Sequence, residues 1–282
     1  MRILVTGATG NIGRPLTQHL INSRQVELCI AQRSSDKALP GTHSILFDFE
    51  LPHTYATALA GIDKLFLLRP PQISNVKQYL FPVIDAALAA GVKHIVFLSL
   101  QGAEENTITP HHKVEVYLNQ VKAPYTFLRP SFFMQNLTTT HAEEIKKGYI
   151  MVPAGNGSTN FVDAEDLAEA AAHILTTEGH VGCAYELTGS EAYTYHEVAK
   201  RLSQALGYQV RYDEPGALRF LWHHLRRGTP MGFAAVMLAI YTIARLGKAA
   251  GYSPDLEKLL SRKPTTLDAF IEREKGAWSQ SQ

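Results

Sequence analysis

Near its N-terminus the chain reads Arg2-Ile3-Leu4-Val5-Thr6-Gly7-Ala8-Thr9-Gly10-Asn11-Ile12-Gly13, and this stretch decides the fold. Its apolar start predicts a β-strand, and an apolar-periodic helix follows the last glycine. The three glycines have the spacing G-x-x-G-x-x-G, and glycine permits positive φ and a close approach of the backbone to a ligand. A helix that begins here points free N–H groups and its positive dipole end at phosphates. We therefore predict a dinucleotide-binding turn formed by Gly7, Thr9, Gly10, Asn11, Ile12 and Gly13.

Strand-like and helix-like segments alternate outward from this turn. The predicted strands of the first half are Arg2–Val5, Val26–Ala31, Ser44–Phe47, Lys64–Leu68, His94–Ser99 and Tyr125–Leu128. The predicted helices between them are Asn11–Asn22, Pro52–Ala60, Asn75–Ala90 and Lys113–Gln120. Repeated strand–helix–strand units with apolar strands indicate a parallel sheet that is covered on both faces. The sequence therefore predicts an α/β fold with a Rossmann-type, doubly wound parallel sheet.

The pattern loosens after Pro130. Short strands are predicted at Ile150–Val152 and Ala184–Leu187, Thr194 and Glu197 form a capping box, and the chain is nearly all helical by pattern from Pro215 onward. We predict an NAD(P)-binding Rossmann domain over residues 1–152, with parts of 153–190. A smaller, mainly helical C-terminal region over 190–282 is expected to cover the substrate cleft, and only the tail Ser279–Gln282 is expected to be flexible.

Composition limits the classes of partner. The 282 residues carry a net charge of +1 and are 45% hydrophobic, so we expect neither nucleic acid nor a membrane as a partner. The apolar segment Phe233–Ala244 is shorter than the ~20 residues that span a bilayer. We expect a buried helix there, or one packed against a partner subunit, in a monomer or a homodimer.

The cysteines and histidines suggest no special site. Cys29 lies in a predicted strand and Cys183 opens an apolar run, so both are expected to be buried strand residues with inert thiols, and two such cysteines make no disulfide framework. The 12 histidines are scattered apart from two adjacent pairs, so no metal site is predicted. Because Met1 leads directly into the first strand, no signal peptide is expected, and we predict a cytoplasmic protein.

The end of the second strand indicates the preferred nucleotide. An NAD site usually places an acid there for the ribose 2′-hydroxyl, but this chain has Arg33 and no acid before Asp36. An arginine is a suitable partner for a 2′-phosphate, so the sequence favours NADPH. The alternative is that Arg33 is an ordinary surface residue.

Two further strand ends are expected to contribute to the cofactor site. Asp48 follows the third strand, where it would accept from the adenine amino group or else cap a turn. Leu68 and Arg69 end the fourth strand at the crevice where ligands bind in such sheets. Arg69 would face the phosphates there, or else be exposed.

Several motifs make the chain resemble the NmrA-like family of atypical short-chain dehydrogenases. Besides the glycine turn, they are Ala90-Gly91-Val92-Lys93-His94-Ile95-Val96, Ala123-Pro124-Tyr125-Thr126-Phe127-Leu128-Arg129-Pro130, Phe132-Phe133-Met134-Gln135-Asn136 and Pro264-Thr265-Thr266-Leu267. The resemblance covers nearly the whole chain and is strongest to the bacterial branch with NADPH:quinone oxidoreductases and triphenylmethane reductase. It implies an NADP-binding Rossmann fold, although the family also contains NADPH-sensing regulators that catalyse nothing.

The catalytic residues are less evident. Ordinary short-chain dehydrogenases use Tyr-x-x-x-Lys, which does not follow the fifth strand here, and many relatives have a lysine where this chain has His111. His111 is a candidate to donate a proton or polarise a carbonyl, and Glu115 lies one helical turn on, where it would orient that imidazole. Ser99 ends the fifth strand, where such enzymes present a hydroxyl to the substrate. The alternative is that His111 is simply a polar residue at a helix start.

The residues after the sixth strand suggest the acceptor. Phe132, Phe133 and Asn136 are expected to line a pocket for a flat substrate, although aromatics after a strand also occur as plain core. We therefore predict an NADPH-dependent reductase that transfers hydride to a quinone-like or conjugated small-molecule acceptor. The alternative is a non-catalytic NADP(H)-sensing regulatory protein.

Overall fold

The computed structural model describes residues 1–23, 26–34 and 39–279, so Asp36 and most of the predicted tail, residues 280–282, lie outside the described residues. The strands are β1 Arg2–Val5, β2 Glu27–Gln32, β3 His43–Leu46, β4 Lys64–Leu68, β5 His94–Leu98, β6 Tyr125–Pro130, β7 Phe132–Phe133, β8 Tyr149–Met151, β9 Thr159–Val162, β10 Cys183–Leu187, β11 Ala192–Tyr193 and β12 Arg211–Asp213. The α-helices are α1 Gly13–Ile21, α2 Tyr55–Leu59, α3 Val76–Tyr79, α4 Phe81–Ala89, α5 Pro110–Gln120, α6 Ala142–Lys146, α7 Ala164–Thr176, α8 Tyr195–Leu206, α9 Ala217–Arg226, α10 Met231–Arg245, α11 Asp255–Leu260 and α12 Leu267–Glu274. Short 3₁₀ helices span Pro52–Thr54, Met134–Asn136 and Lys275–Trp278.

Two compact units make up the chain, and each is assembled from separate stretches. Unit 1 comprises Met1–Pro130, Ala164–Leu187 and Asp255–Ser261, and unit 2 comprises Ser131–Asp163, Thr188–Pro254 and Arg262–Gln282. The sequence placed residues 131–152 in the first domain, whereas here they lie in unit 2.

Unit 1 is built on a seven-stranded sheet with the order β10-β6-β5-β4-β1-β2-β3. Every strand pair in it is parallel, which confirms the predicted Rossmann-type fold. The order runs outward from β1 in both directions, so right-handed crossovers place the helices of the two halves on opposite faces. Apolar strand residues such as Leu4, Leu65 and Phe97 pack with helix residues such as Val83 and Leu118 in one core.

Local chemistry explains two departures from the predicted elements. The helix predicted over Asn75–Ala90 is divided into α3 and α4, and Pro82 stands in the first turn of α4. Proline fits that position because it lacks the N–H needed to continue a helix. Cys29 is buried, which raises the pKa of its thiol, but the expectation that Cys183 is buried is wrong. Cys183 is half-buried because it lies on β10, an edge strand of the sheet.

Unit 2 contains two small sheets and most of the C-terminal helices. Its sheets have the strand orders β11-β9-β7 and β12-β8. Its core includes the fully buried side chains of Phe220, Phe270 and Trp278, and the Trp278 indole N–H donates to the Leu137 carbonyl at 2.9 Å. Helix α8 begins with the predicted capping box.

Helix α10 differs from its expectation. The sequence predicted a buried helix at Phe233–Ala244, but only one face is buried, through Ala234, Met237, Tyr241 and Ala244. Apolar residues of the other face are exposed to solvent. The expectation of a fully buried helix is therefore wrong, while the alternative of a helix packed against a partner subunit stays a prediction.

Candidate cofactor and active site

The predicted cofactor residues of unit 1 follow the carboxyl ends of neighbouring parallel strands. The glycine turn follows β1, and Leu68 and Arg69 lie at the end of β4, which pairs directly with β1. Thr6 ties the two strand ends together, because its hydroxyl donates to the Phe66 carbonyl at 3.0 Å and accepts from the Leu68 N–H at 2.8 Å. The strand order reverses at β1, and ligands of open α/β sheets bind in the crevice at such a point.

The three glycines of the turn have different structural reasons. Gly7 has φ of +68°, which side-chain-bearing residues rarely adopt. A Cβ on Gly13 would lie 2.1 Å from the Gly7 carbonyl oxygen, so only glycine allows α1 to approach β1 this closely. A Cβ on Gly10 would meet only the Gly7 oxygen at 3.4 Å, an ordinary contact. The protein itself therefore requires Gly7 and Gly13, but it does not require Gly10.

Donors for an anion are available at the start of α1. The cap residue Ile12 provides no side-chain hydrogen bond to the helix. The backbone N–H groups of Asn11 and Ile12 have no acceptor within the described residues. Free N–H groups at a helix N-terminus form a ready binding site for phosphate.

The predicted phosphate partner follows β2. Arg33 is exposed, and no ion pair or hydrogen bond holds its guanidinium in the described part of the chain. Arg14, in the first turn of α1, is likewise exposed and has no acid partner among those residues. The sequence analysis did not single out Arg14, although it directly follows the last glycine of the turn.

Asp48 lies after β3 in a tight local turn. Its carboxylate accepts from the Glu50 N–H at 2.9 Å, as in an Asx turn. The neighbouring rings of Phe47 and Phe49 pack edge to face in the core, with centroids 4.9 Å apart. Asp48 thus has the turn role that the sequence left open, while its role toward adenine stays a prediction.

Arg69 holds its own loop and contacts His111. Its Nη1 donates to the carbonyls of Pro70, Pro71 and Ile73 at 2.9, 3.2 and 2.7 Å. Its Nε donates to His111 Nε2 in a long hydrogen bond of 3.4 Å. Arg69 is half-buried, so the alternative of an exposed arginine is wrong, while its contact with the phosphates stays a prediction.

His111 is a neutral imidazole with one unused nitrogen. Burial, together with the nearby charge of Arg69, lowers the pKa of His111 to about 3. Since Nε2 accepts from Arg69, the proton of the neutral ring lies on Nδ1. Nδ1 is buried and has no hydrogen-bond partner among the described residues. A bound molecule with an oxygen at this position would supply the acceptor that the His111 Nδ1–H lacks here.

Glu115 is engaged elsewhere than the sequence predicted. Its buried carboxylate accepts from the Ser99 hydroxyl at 2.5 Å and from Arg129 Nε and Nη2 at 3.1 and 2.7 Å. Within the described ranges no hydrogen bond joins it to His111, so the expected orienting contact is wrong. Ser99 lies directly after β5 as predicted, with its proton directed at Glu115.

Arg129 is shared by three carboxylates. Besides Glu115, its Nη1 contacts Glu104 at 3.0 Å and Glu186 at 3.4 Å. Burial and the charge of Glu104 raise the pKa of Glu186 to about 7, against the opposing effect of Arg129. A single guanidinium thus offsets three neighbouring acids incompletely, and Glu186 takes up a proton near neutral pH.

The predicted acceptor residues lie in unit 2. Phe132 and Phe133 form β7, which pairs with β9, and Asn136 ends the following 3₁₀ helix; all three are half-buried. The Phe132 ring lies 6.5 Å from the Phe161 ring and 6.4 Å from the Tyr241 ring, measured between centroids. The aromatic residues thus belong partly to a core, the alternative that the sequence left open.

A buried polar network adjoins Phe132 through Tyr241. The Tyr241 hydroxyl lies 2.6 Å from His141 Nε2, and His141 Nδ1 lies 3.1 Å from the Glu144 carboxylate. Glu144 also accepts from His223 and Arg227 at 3.1 and 3.0 Å. Burial opposes ionisation of Glu144, but the hydrogen bonds from His141 and His223 lower its pKa. Sequence analysis missed this network because its members are up to a hundred residues apart.

Comparison with known proteins gives the family. The profile of the NmrA-like family matches residues 1–271 of this chain. The chain is a member of the NmrA-like family. A curated relative, the NAD(P)H azoreductase of Xenophilus azovorans, is 31% identical, with 98% of this chain and 99% of the relative covered.

Solved structures of this family agree closely with the fold. The triphenylmethane reductase of Citrobacter sp., complexed with NADP(H), has a TM-score of 0.87 and 30% identity over 97% of this chain and 99% of that one. An NADPH-dependent quinone oxidoreductase from Escherichia coli, complexed with NADPH, has a TM-score of 0.87 and 28% identity over 96% and 99%. The family membership expected from the sequence motifs is confirmed.

Two residues of the site, Arg129 and Glu186, are recognisable from the sequence by their charge. Arg129 and Glu186 are charged residues inside apolar strands, β6 and β10, and a charge in such a place usually has a buried partner. Among residues 1–23, 26–34 and 39–279, no three His, Cys, Asp or Glu side chains are placed so that they could hold a metal ion together. The helices of the same ranges are too short or too polar to cross a membrane.

Proposed function

We propose that this protein is an NADPH-dependent reductase that transfers hydride to a quinone-like or conjugated small-molecule acceptor. The observation that carries the proposal is the glycine turn, where the described residues give no structural reason for Gly10 and no acceptor for two backbone N–H groups. A pyrophosphate approaching the backbone supplies both the reason and the acceptor. The azoreductase, quinone oxidoreductase and dye reductase among the relatives support the class of acceptor.

Each half of the dinucleotide has its own partners in this proposal. The N–H groups of the turn bind the pyrophosphate, while Arg33, with Arg14 nearby in the sequence of the turn, binds the 2′-phosphate. The Nδ1–H of His111 donates to an oxygen of the nicotinamide nucleoside. Once bound, the reduced nicotinamide supplies a hydride, and the protein contributes position and the exclusion of water.

Proton delivery is simple in this proposal. His111 is not an acid at neutral pH because its pKa is about 3, and the Ser99 proton is directed at Glu115. A quinone that receives a hydride takes its proton from solvent, so no tyrosine–lysine pair is required. Phe132, Phe133 and Asn136 remain the proposed acceptor-binding residues. We propose a cytoplasmic monomer or homodimer.

The proposal is tested by NADPH oxidation with a panel of quinones, azo dyes, triphenylmethane dyes and simple carbonyls. We expect turnover with quinones or dyes and little with simple ketones. Tight NADPH binding without turnover of any acceptor would contradict the reductase and favour the NADP(H)-sensing alternative.

Nucleotide preference is tested with Arg33→Ala. The variant should lose about 1.5–3 kcal/mol of NADPH binding, the range for hydrogen bonds to charged groups, and almost no NADH binding. Calorimetric titration with both nucleotides measures this difference. Lys93→Ala is a matched control, since Lys93 is an exposed cation of the same unit that pairs with Asp63. Equal losses for both nucleotides would make Arg33 structural.

A further inference from the structure

The helical hairpin formed by α9 and α10 concentrates the exposed apolar side chains of the chain. Among the described residues, 17 large hydrophobic side chains are exposed, and nine of them lie between positions 218 and 246. They are Leu218, Trp222, Leu225, Met231, Phe233, Val236, Ile240, Ile243 and Leu246. A concentration of large exposed apolar side chains in one segment is typical of an interaction site.

The exposed residues form one stripe on each helix. On α10 the stripe is Phe233, Val236, Ile240 and Ile243, with spacings of three, four and three residues, which place them on one face. The opposite face carries the buried residues of α10. On α9, Leu218, Trp222 and Leu225 follow the same spacing, and the two helices pack against each other. We call these two stripes the hairpin face.

The charge of this segment indicates which kind of partner binds the hairpin face. Residues 215–254 contain five lysines and arginines and no acid. Three of these cations pair with acids outside the segment: Arg219 with Asp213, Arg227 with Glu144 and Arg245 with Glu214. Arg226 and Lys248 have no acidic partner in the described ranges. Within the described ranges, the segment that carries the hairpin face therefore has two cations without an acidic partner and no acid of its own.

A second copy of the chain fits this surface poorly. A two-fold contact between these segments would bring the same cations of both copies together, and neither segment contains an acid to pair with them. An anionic lipid surface fits both the exposed apolar side chains and the unpaired cations of the segment. The apolar side chains enter the acyl region, and the cations contact the headgroups. The Arg226 guanidinium lies 3.9 Å over the Trp222 ring, and tryptophan and arginine are residues that favour the membrane–water interface.

We propose that the hairpin face docks this protein on the surface of an anionic lipid bilayer. The docking is peripheral, since α10 has only 15 residues and no helix among the described residues spans a membrane. The inference goes beyond the proposed reductase activity and does not depend on it. It departs from the sequence-based expectation of no membrane partner, which rested on the near-zero net charge of the whole chain.

The two tryptophans of the chain provide the test. Trp222 is 56% exposed on the hairpin face, whereas Trp278 is fully buried. The full-length protein is mixed with vesicles of phosphatidylcholine alone or with phosphatidylglycerol added. We expect cosedimentation with the anionic vesicles and a shift of the Trp222 emission to shorter wavelength. Each free cation should contribute roughly fivefold to anionic-vesicle binding, and high salt should weaken it.

Variants separate docking from folding. Phe233→Ser with Ile240→Ser should lower vesicle binding at least ~10-fold, because two large apolar side chains no longer leave water. Val181→Ser is the matched control, since Val181 is equally exposed in unit 1. Trp222→Phe should keep the binding and lose the emission shift. The buried Trp278 reports that each variant is folded.

Two results would overturn the proposal. The first is the absence of cosedimentation with anionic vesicles at low salt. The second is a stable dimer that Phe233→Ser with Ile240→Ser dissociates while vesicle binding is unchanged, which would assign the hairpin face to a second copy. Neither measurement uses NADPH or an acceptor, so failure of the reductase proposal would leave this result unaffected.

Discussion

A histidine whose two ring nitrogens have different partners exists in one tautomer. In His111 the Arg69 Nε fixes Nε2 as the acceptor, so Nδ1 carries the only proton. The buried setting that lowers the pKa of His111 also leaves this Nδ1–H without a partner in the part of the chain that the structure describes. His111 therefore differs from the lysine of many relatives, because it offers a directed neutral donor and not a positive charge.

This state of His111 gives a prediction for the reductase. His111→Ala should lower kcat/KM for NADPH about tenfold, the effect of losing one good hydrogen bond. The wild-type rate should show no ionisation of His111 between about pH 5 and pH 8, because the ring stays neutral there. Steady-state kinetics across pH measures both effects. A bell-shaped profile that disappears in His111→Ala would assign it acid–base catalysis instead.

Glu186 gives a prediction for stability. The unfolded chain releases this proton near the ordinary pKa of 4.5, while the folded chain keeps it up to about 7. Raising the pH between these values therefore favours the unfolded state. Glu186→Gln should leave stability unchanged in acid and increase it by roughly 1–3 kcal/mol above neutral pH. Urea unfolding at several pH values measures the difference, and parallel pH profiles for both proteins would contradict it.

At the scale of elements, the sequence predicted what local chemistry determines. The glycine turn, the parallel strands and the capping box at Thr194 follow from spacing and residue type. Contacts between elements were not predicted. The helical spacing of Glu115 predicted a contact with His111, but its carboxylate binds Arg129 on strand β6. Ion pairs between distant elements leave no periodic signal. Helix α10 was assigned as buried because it is apolar around most of its circumference, so its pattern does not show which face is covered.

The glycine turn yields a paired prediction. Gly13→Ala should destabilise the protein by on the order of 3 kcal/mol, because its Cβ would clash with the Gly7 carbonyl. Gly10→Ala should change stability by less than ~0.5 kcal/mol and weaken NADPH binding at least ~10-fold. Thermal unfolding and titration with NADPH measure the two quantities. Normal NADPH affinity in a folded Gly10→Ala protein would show that the pyrophosphate does not bind at this turn.

At the scale of the whole molecule, unit 1 depends on three separate stretches of chain. Along the chain, its edge strand β10 follows residues 131–163, which belong to unit 2. Helix α11 follows later still. The third stretch is tied to the sheet by Asp255, whose carboxylate accepts from the Glu186 N–H on β10 at 3.2 Å.

Asp255→Ala should therefore lower the free energy of unfolding by about 1–2 kcal/mol, since it leaves that N–H without its acceptor. Asp268→Ala is the control, because Asp268 pairs with Arg201 at the exposed surface, where ion pairs contribute little. Denaturant unfolding of both variants measures the contrast. Equal effects would mean that α11 is held by its apolar contacts alone.

The late position of β10 in the chain also has a consequence during synthesis on the ribosome. When the ribosome has released residues up to Pro130, β6 has its partner β5 on one side and an unpaired row of backbone groups on the other. Cys183 and the rest of β10 follow only after roughly 3–10 s of further translation. During that interval this edge of β6 is open to pairing with another polypeptide, because β10, the strand that covers it in the folded protein, has yet to be made.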